Sequence, residues 1–194
     1  MKRAFDVLVS APLVILLAPV VMVAAVAVVL TSPGPPFFIS PRVGRNGKVF
    51  GMVKLRTMVA GADRVGPLVT AADDGRITAV GRFLRRTKLD ELPTLVNVVR
   101  GDMSLVGPRP ENPRSASQYT EEQRGVLSVR PGVTSLATIE YRHEEALLAG
   151  AADLERRYAE IMQDKLALEL EYVRRRSFWL DCRILGRTMV ALFR

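Results

Sequence analysis

Asp90 and Glu91 stand side by side in a stretch crowded with cations: Lys54, Arg56, Arg76, Arg85, Arg86, Lys88 and Arg109. Neighbouring arginines favour the charged form of a carboxyl group. An ionised aspartate can attack phosphorus and carry the group covalently. A second carboxylate can hold Mg²⁺, which takes a few carboxylate and water oxygens and completes its shell from substrate phosphates. Such an ion neutralises a diphosphate, while arginines clamp charge on the oxygens in flight. Free N–H groups at a helix start can also receive a phosphate. On spacing alone the plainer alternative is more frequent: an N-cap at Asp90 followed by an acidic first turn. Arg85 and Arg86 taken alone read as a solvated face. Arg109, between Pro108 and Pro110, is either a preorganised donor or part of a plain rigid turn. Asp73 and Asp74 read as loop surface, and His143 as a surface or structural residue.

Composition narrows the chemistry. The 194 residues hold 28 Lys+Arg against 20 Asp+Glu, a formal net charge of +8, which implies anionic partners: nucleic acid, phosphorylated small molecules or an acidic membrane surface. One cysteine, Cys182, excludes an intrachain disulfide framework, and with one histidine a structural zinc site is improbable. Phe83 is the only aromatic residue between Lys54 and Arg109, whereas a nucleic-acid binder interleaves such charges with stacking rings. No nucleic acid is therefore expected.

The elements that must position these residues begin with a membrane problem. Val7 to Leu30 carries no charge. A straight helix over it is about 36 Å long, enough to cross a hydrocarbon core of about 30 Å. Three readings stay open: a bitopic helix, a signal peptide with Ala25-Val26-Ala27 as cleavage pattern, and a re-entrant helix broken near Pro19. Lys2 and Arg3 before the run, and Arg42, Arg45 and Lys48 after it, are easiest to satisfy with both ends cytoplasmic. Ser32-Pro33-Gly34-Pro35-Pro36 is a sharp break. Phe37 to Ile39 and Val49 to Met58 read as strands joined by an Asn46-Gly47 turn. Val59 to Asp74 reads as a mobile loop with a short helix. Helices are expected over Val80–Lys88, Leu92–Arg100 (stopped by Gly101), Thr120–Ser128 and Ala151–Arg176, with a turn at Arg130–Thr134. In Ser177–Arg194, Phe178, Cys182, Leu185, Met189 and Leu192 share one face, Arg183, Arg187 and Arg194 another. With Trp179 this reads as an interfacial membrane helix, against the alternative of a helix packed on the core.

Leu89-Asp90-Glu91-Leu92-Pro93 and the block Asn97-Val98-Val99-Arg100-Gly101-Asp102-Met103-Ser104-Leu105-Val106-Gly107-Pro108-Arg109-Pro110 closely resemble the bacterial sugar transferase family. These are small monotopic phosphoglycosyl transferases. Lys2-Arg3-Ala4-Phe5-Asp6, Lys54-Leu55-Arg56-Thr57-Met58, Asp74-Gly75-Arg76-Ile77-Thr78, Arg130-Pro131-Gly132-Val133-Thr134 and Ser177-Phe178-Trp179-Leu180-Asp181 match in order and spacing. The resemblance implies transfer of a sugar-1-phosphate from a nucleoside diphosphate sugar, usually a UDP-sugar, to undecaprenyl phosphate, releasing UMP. Asp90 then falls on the nucleophile that carries the phosphosugar, and Glu91 on the Mg²⁺ position. Arg85 and Arg109 fall on phosphate-binding positions, Arg56 on a basic active-site position, and Arg142 on an arginine linked to nucleotide-sugar binding. Pro19 matches the break of a re-entrant helix, with Ala18 where serine is common. Ser135-Leu136-Ala137-Thr138 and Glu140-Tyr141 depart from the usual Gly-Trp-Ala-Gln and Asn-Gly, which bears on sugar preference and on Arg142.

The expected protein is thus a mostly helical α+β enzyme. Residues 1–31 form the re-entrant membrane helix-hairpin and residues 32–194 a small cytosolic catalytic domain with a β-hairpin, 177–194 being an interfacial helix. Its place is the cytoplasmic face of the bacterial inner membrane, where it begins glycoconjugate assembly. Its cofactor is Mg²⁺, and its partners are the UDP-sugar, undecaprenyl phosphate and membrane lipids, with a homodimer left open. The rival is a basic, non-catalytic, membrane-anchored adaptor for acidic lipid or nucleic acid.

Overall fold

The uncharged N-terminal run forms α1 (Lys2–Thr31), 30 residues that stay helical through Pro12 and Pro19. The computed structural model describes every residue except 63, 64, 66–69, 71, 72, 150, 152, 193 and 194. The break expected near Pro19 is corrected: the proline lies inside a continuous helix. It removes one hydrogen bond and crowds the preceding turn, a disruption that contacts on either side can absorb. Here both ends are held. Asp6 Oδ2 accepts from Ser104 Oγ at 2.8 Å and Oδ1 from Leu105 N at 3.2 Å. Lys2 pairs with Asp181 at 2.5 Å, and Arg3 donates to the Val98 and Val99 carbonyls. At the far end Ala24, Ala25 and Val28 pack on Leu55 and Leu84. The opposite face, with Leu8, Ile15, Leu16, Met22, Val23, Val26 and Leu30, is exposed along the whole length.

The predicted hairpin is present. β1 (Phe37–Val43) and β2 (Val49–Leu55) pair antiparallel, with Phe37 opposite Leu55 and Val43 opposite Val49. Asn46 (φ 57°) and Gly47 (φ 76°) take the left-handed conformation that an Asn-Gly turn supplies at little cost. The loop expected over residues 59–74 lies partly outside the described residues. Its described end is tied down by Arg76, which pairs with Asp74 at 2.6 Å and donates to the Ala62 and Val65 carbonyls. Asp73 is exposed, as expected; Asp74 is not loop surface but half-buried in this pair.

α2 (Ala79–Thr87) is capped by Thr78, whose side chain accepts from Gly81 N. Gly81 presses on the Thr57 carbonyl: a Cβ there would lie 1.9 Å from that oxygen. The helix expected over 92–100 is divided into a 3-10 turn, Leu89–Thr94, and α3 (Leu95–Arg100), which ends at Gly101. Asp90 is therefore not an N-cap. Lys88, left-handed at φ 58°, ends α2 and opens the turn instead.

β3 (Ser104–Val106) and β4 (Gly132–Thr134) pair in parallel, so the turn expected over 130–134 contains a strand. Close approach explains it: a Cβ on Gly132 would lie 2.1 Å from Gly107 N. α4 (Pro113–Ser117) and a 3-10 turn at Gln123–Ser128 connect them. Then come α5 (Leu136–Glu140), α6 (Glu144–Leu148), α7 (Leu154–Arg175) and α8 (Phe178–Leu192). The main core gathers Met52, Leu95, Val98, Met103, Leu105, Val106, Tyr172 and Ile184, with Phe5, Val9 and Leu13 of α1 against it. The architecture is the mostly helical α+β expected.

α8 turns Asp181 and Ile184 inward and leaves Phe178, Trp179, Met189 and Val190 exposed, with Arg183 and Arg187 beside them. The predicted apolar face is divided: Phe178 and Met189 look outward, while Leu185 packs on the core. Arg194 and the side chain of Leu192 fall outside the described residues.

Candidate active site

Three pieces of chain meet at the acidic dyad: the end of β2, the 3-10 turn after α2, and the loop after β3. Asn97, fully buried in α3, sets the first two against each other. Its side chain accepts from Val53 N at 3.0 Å and donates to the Gly51 carbonyl at 2.8 Å, so α3 lies along β2 in fixed register. Thr94 closes the turn by donating to the Glu91 carbonyl at 2.6 Å. This brings Lys54 of β2 to Glu91, with Nζ 2.8 Å from Oε1.

Arg109 meets the same carboxylate from the third piece, with Nη2 2.6 Å from Oε1 and Nη1 3.2 Å from Oε2. Two parallel bonds from a planar guanidinium are the strong form of this contact. Burial works against an ionised Glu91, but Arg109 and then Lys54 outweigh it and hold its carboxyl well below the ordinary value. Burial pushes Lys54 down, against the pull of Glu91. Arg109 is raised by the Glu91 charge.

Asp90 has the reverse environment. It is 8% exposed, and its Oδ1 is buried with no hydrogen-bond partner. Burial, then the Glu91 charge, pushes its carboxyl up to about 6, against the opposing influence of Lys54, Lys88 and Arg85. Arg85 reaches in from α2, with Nε 2.9 Å from Thr57 Oγ1. A buried, poorly solvated carboxylate ringed by cations is a nucleophile suited to a phosphorus centre.

The structure therefore brings together Asp90, Glu91, Arg85 and Arg109, and adds Lys54. Arg56 is turned elsewhere: its guanidinium donates to the carbonyls of Ser32, Pro33 and Gly34, bracing the exit from α1. Arg142 donates to the Ala191 carbonyl in α8 at 2.7 Å and to His143 at 2.8 Å, so its bonds belong to the α8 end of the molecule. His143 is exposed, as expected. Sequence reasoning missed Asn97 and Glu169. Glu169 shares the buried face of α7 with Ile161, Met162, Leu166 and Tyr172, and a carboxylate at that spacing was the readable signal.

The donor set fits a hard divalent cation. Two adjacent carboxylates are present, one with a bare oxygen, and Mg²⁺ completes such a set with water and phosphate oxygens. Among the described residues no three His, Cys, Asp or Glu gather to make an all-protein cage.

Comparison with known proteins places the chain in a family. The family model described as "Bacterial sugar transferase" matches residues 1–194. A UDP-glucose:undecaprenyl-phosphate glucose-1-phosphate transferase of Caulobacter vibrioides is 40% identical over 98% of this chain and 69% of its own length. A protein of the same name from Escherichia coli is 39% identical over 97% of this chain, which spans 39% of that relative. A UDP-N-acetylgalactosamine-undecaprenyl-phosphate N-acetylgalactosaminephosphotransferase of Aeromonas hydrophila is 33% identical over 97% of the chain and 42% of its own length. Matched from end to end, the chain belongs to the bacterial sugar transferase family.

Proposed function

We propose that this chain transfers a sugar-1-phosphate from a UDP-sugar to undecaprenyl phosphate, with Asp90 as the nucleophile. The observation that carries the reading is the bare, buried Oδ1 of Asp90 beside a carboxylate already locked by Lys54 and Arg109. An Asp90 oxygen attacks the phosphorus that bears the sugar. The bond from that phosphorus to the bridging oxygen breaks, and UMP leaves with the electron pair. A phosphate oxygen of undecaprenyl phosphate then attacks the same phosphorus, breaks its bond to Asp90 and frees the carboxylate. Arg85 and Arg109 hold phosphate oxygens, and Lys54 keeps Glu91 ionised. Asp90 and Glu91 would hold Mg²⁺, which when bound neutralises the diphosphate charge. The names of the relatives make UDP-glucose and UDP-N-acetylgalactosamine the first donors to try.

The lipid acceptor needs a site at the membrane surface. α1 is bound on one face to the catalytic body along its length and presents an apolar face outward. A helix crossing the bilayer would leave one end far from that body, so the contacts favour a monotopic seat on the cytoplasmic leaflet, with the continuous helix lying against the catalytic body. Trp179 and Phe178 of α8 extend the apolar surface.

The test is to incubate purified protein with Mg²⁺ and each UDP-sugar, first without acceptor. One UMP per active site and a phosphosugar adduct on the peptide containing Asp90, both lost in Asp90→Asn, are expected. Adding undecaprenyl phosphate should give sustained UMP release. Turnover by Asp90→Asn at the parent rate would refute the covalent step; no UMP from any donor would support the adaptor reading.

A further inference from the structure

Glu169 is a buried carboxylate that the reaction above does not use, and it touches the catalytic loop. It projects from α7 and is 4% exposed. Oε1 accepts the backbone N–H of Arg109 at 3.1 Å and the Ser135 hydroxyl at 2.6 Å, while Oε2 has no partner. Ser135 in turn caps α5, its Oγ accepting from Thr138 N at 2.9 Å. One oxygen thus ties α7 to the loop after β3 and to the junction of β4 with α5.

The sequence around Arg109 makes that bond singular. Proline has no N–H, so within Pro108-Arg109-Pro110 the amide of Arg109 is the sole backbone donor. The prolines stiffen the loop, and the Arg109 amide is the point at which an acceptor can fix it. A buried N–H left without an acceptor is unfavourable, so the loop shifts when the acceptor goes. We propose that Glu169 is a positioning residue, which holds the Arg109 backbone so that the guanidinium meets both Glu91 and the substrate phosphate. The inference rests on the reading of Arg109 as a phosphate-binding residue of the transferase.

Charge adds a second handle. The groups facing Glu169 are Arg109 of the loop and Lys165 of its own helix, with the hydroxyls of Tyr119 and Tyr172 also within its field. Burial outweighs the Ser135 bond, the Arg109 amide and these cations, and pushes the carboxyl up to about 7. Acidification therefore neutralises Glu169 before it neutralises most carboxylates.

The experiment compares Glu169→Gln, Glu169→Ala and the parent in the UMP-release assay, with melting curves as the folding control. Glutamine keeps the acceptor oxygen and loses the titration. It should stay within about tenfold of the parent kcat/KM, with the acid limb of its pH profile displaced to lower pH. Alanine removes the acceptor and should lose ~100-fold, mostly in kcat, as for a donor displaced by about an ångström. In an Arg109→Ala background the Glu169→Ala change should add no further loss, because the two act as one unit. Should Glu169→Ala fail to fold, Glu169→Leu fills the space without charge and should show the same loss. Parent-like kcat/KM in folded Glu169→Ala or Glu169→Leu overturns the proposal, as do equal losses in the glutamine and alanine variants or additive losses with Arg109→Ala. An inactive parent would instead refute the transferase reading, which separates the two.

Discussion

Replacing Asp90 by Asn should make the protein more stable while removing its activity. In the folded chain the Asp90 carboxyl rises from 3.8 to about 6, chiefly by burial and then by the charge on Glu91. At 1.36 kcal/mol per pH unit, ionising it in place costs about 3 kcal/mol once the pH exceeds 6. The folded group binds its proton more tightly than the unfolded one. The penalty is therefore absent well below pH 3.8, grows through the window from 3.8 to about 6, and is complete above it. Asparagine has no such penalty, but its amide still faces a site where Oδ1 finds no partner. The Glu91 charge supplies part of that cost. Halving the figure leaves about 1.5 kcal/mol, or a rise of roughly 3–6 °C in Tm for a domain of this size. Melting curves of the two proteins at pH 8 and pH 4.5, in the same lipid or detergent, measure it. Glu91 and Glu169 titrate in both and largely cancel in the difference. The gain should be present at pH 8 and mostly gone at pH 4.5. An Asn variant that melts at or below the parent at pH 8, or a gain independent of pH, would refute the account of this site.

Glu91→Gln removes the anion between Lys54 and Arg109 and should destabilise the fold by about 3 kcal/mol, because breaking a buried pair leaves cations uncompensated. The same variant should need more Mg²⁺ for half-maximal UMP release, and an unchanged Mg²⁺ titration would contradict its proposed role. Gly81→Ala sets a methyl group 1.9 Å from the Thr57 carbonyl, where backbone must move, so a loss of roughly 2 kcal/mol in urea melts is expected. Since Thr57 also holds Arg85, its kcat/KM should fall as well, and an unaffected rate would separate α2 packing from the site. Trp179→Glu should weaken sedimentation with anionic vesicles and leave the Tm in place, since that side chain is 80% exposed; parent-like binding would remove α8 from the membrane surface.

What the sequence disclosed, and what it withheld, follows a physical division. The hairpin was legible because Asn46-Gly47 needs a left-handed turn that few other pairs supply. α2 and α7 were legible because their apolar residues recur at helical spacing. The parallel pairing of β3 with β4 was not, since each strand is 3 residues long and the pairing, Ser104 with Gly132 and Val106 with Thr134, is long-range, permitted by the close approach of Gly107 and Gly132. At the site, Asp90, Glu91 and Arg109 could be read from local motifs. The ion pair of Lys54 with Glu91 spans 37 residues and depends on Asn97 fixing α3 to β2, which no local pattern reveals. Arg56 shows the opposite failure: a basic residue in a site motif whose guanidinium is spent on the carbonyls of Ser32, Pro33 and Gly34.

The chemical distinction between two adjacent carboxylates is created by backbone geometry. In an α-helix neighbouring side chains diverge by about 100°, and in a 3-10 turn by about 120°. Lys88, left-handed at φ 58°, stops α2 abruptly and starts such a turn one residue before Leu89, at the modest energetic cost of a non-glycine residue in that conformation. The turn then points Glu91 at β2 and the Arg109 loop, where two cations wait, and leaves Asp90 in a buried position with an unpaired oxygen. A regular helix beginning at residue 91 would have made Asp90 the N-cap, its carboxylate bonded to backbone N–H groups. Two carboxyl groups of similar intrinsic acidity are driven in opposite directions: burial opposes the charge on both, but Arg109 and Lys54 outweigh it at Glu91, while at Asp90 burial and the Glu91 charge prevail. That separation lets a single dipeptide hold one carboxylate fixed in ion pairs and one with a bare oxygen, and it traces the difference to the left-handed residue that precedes them.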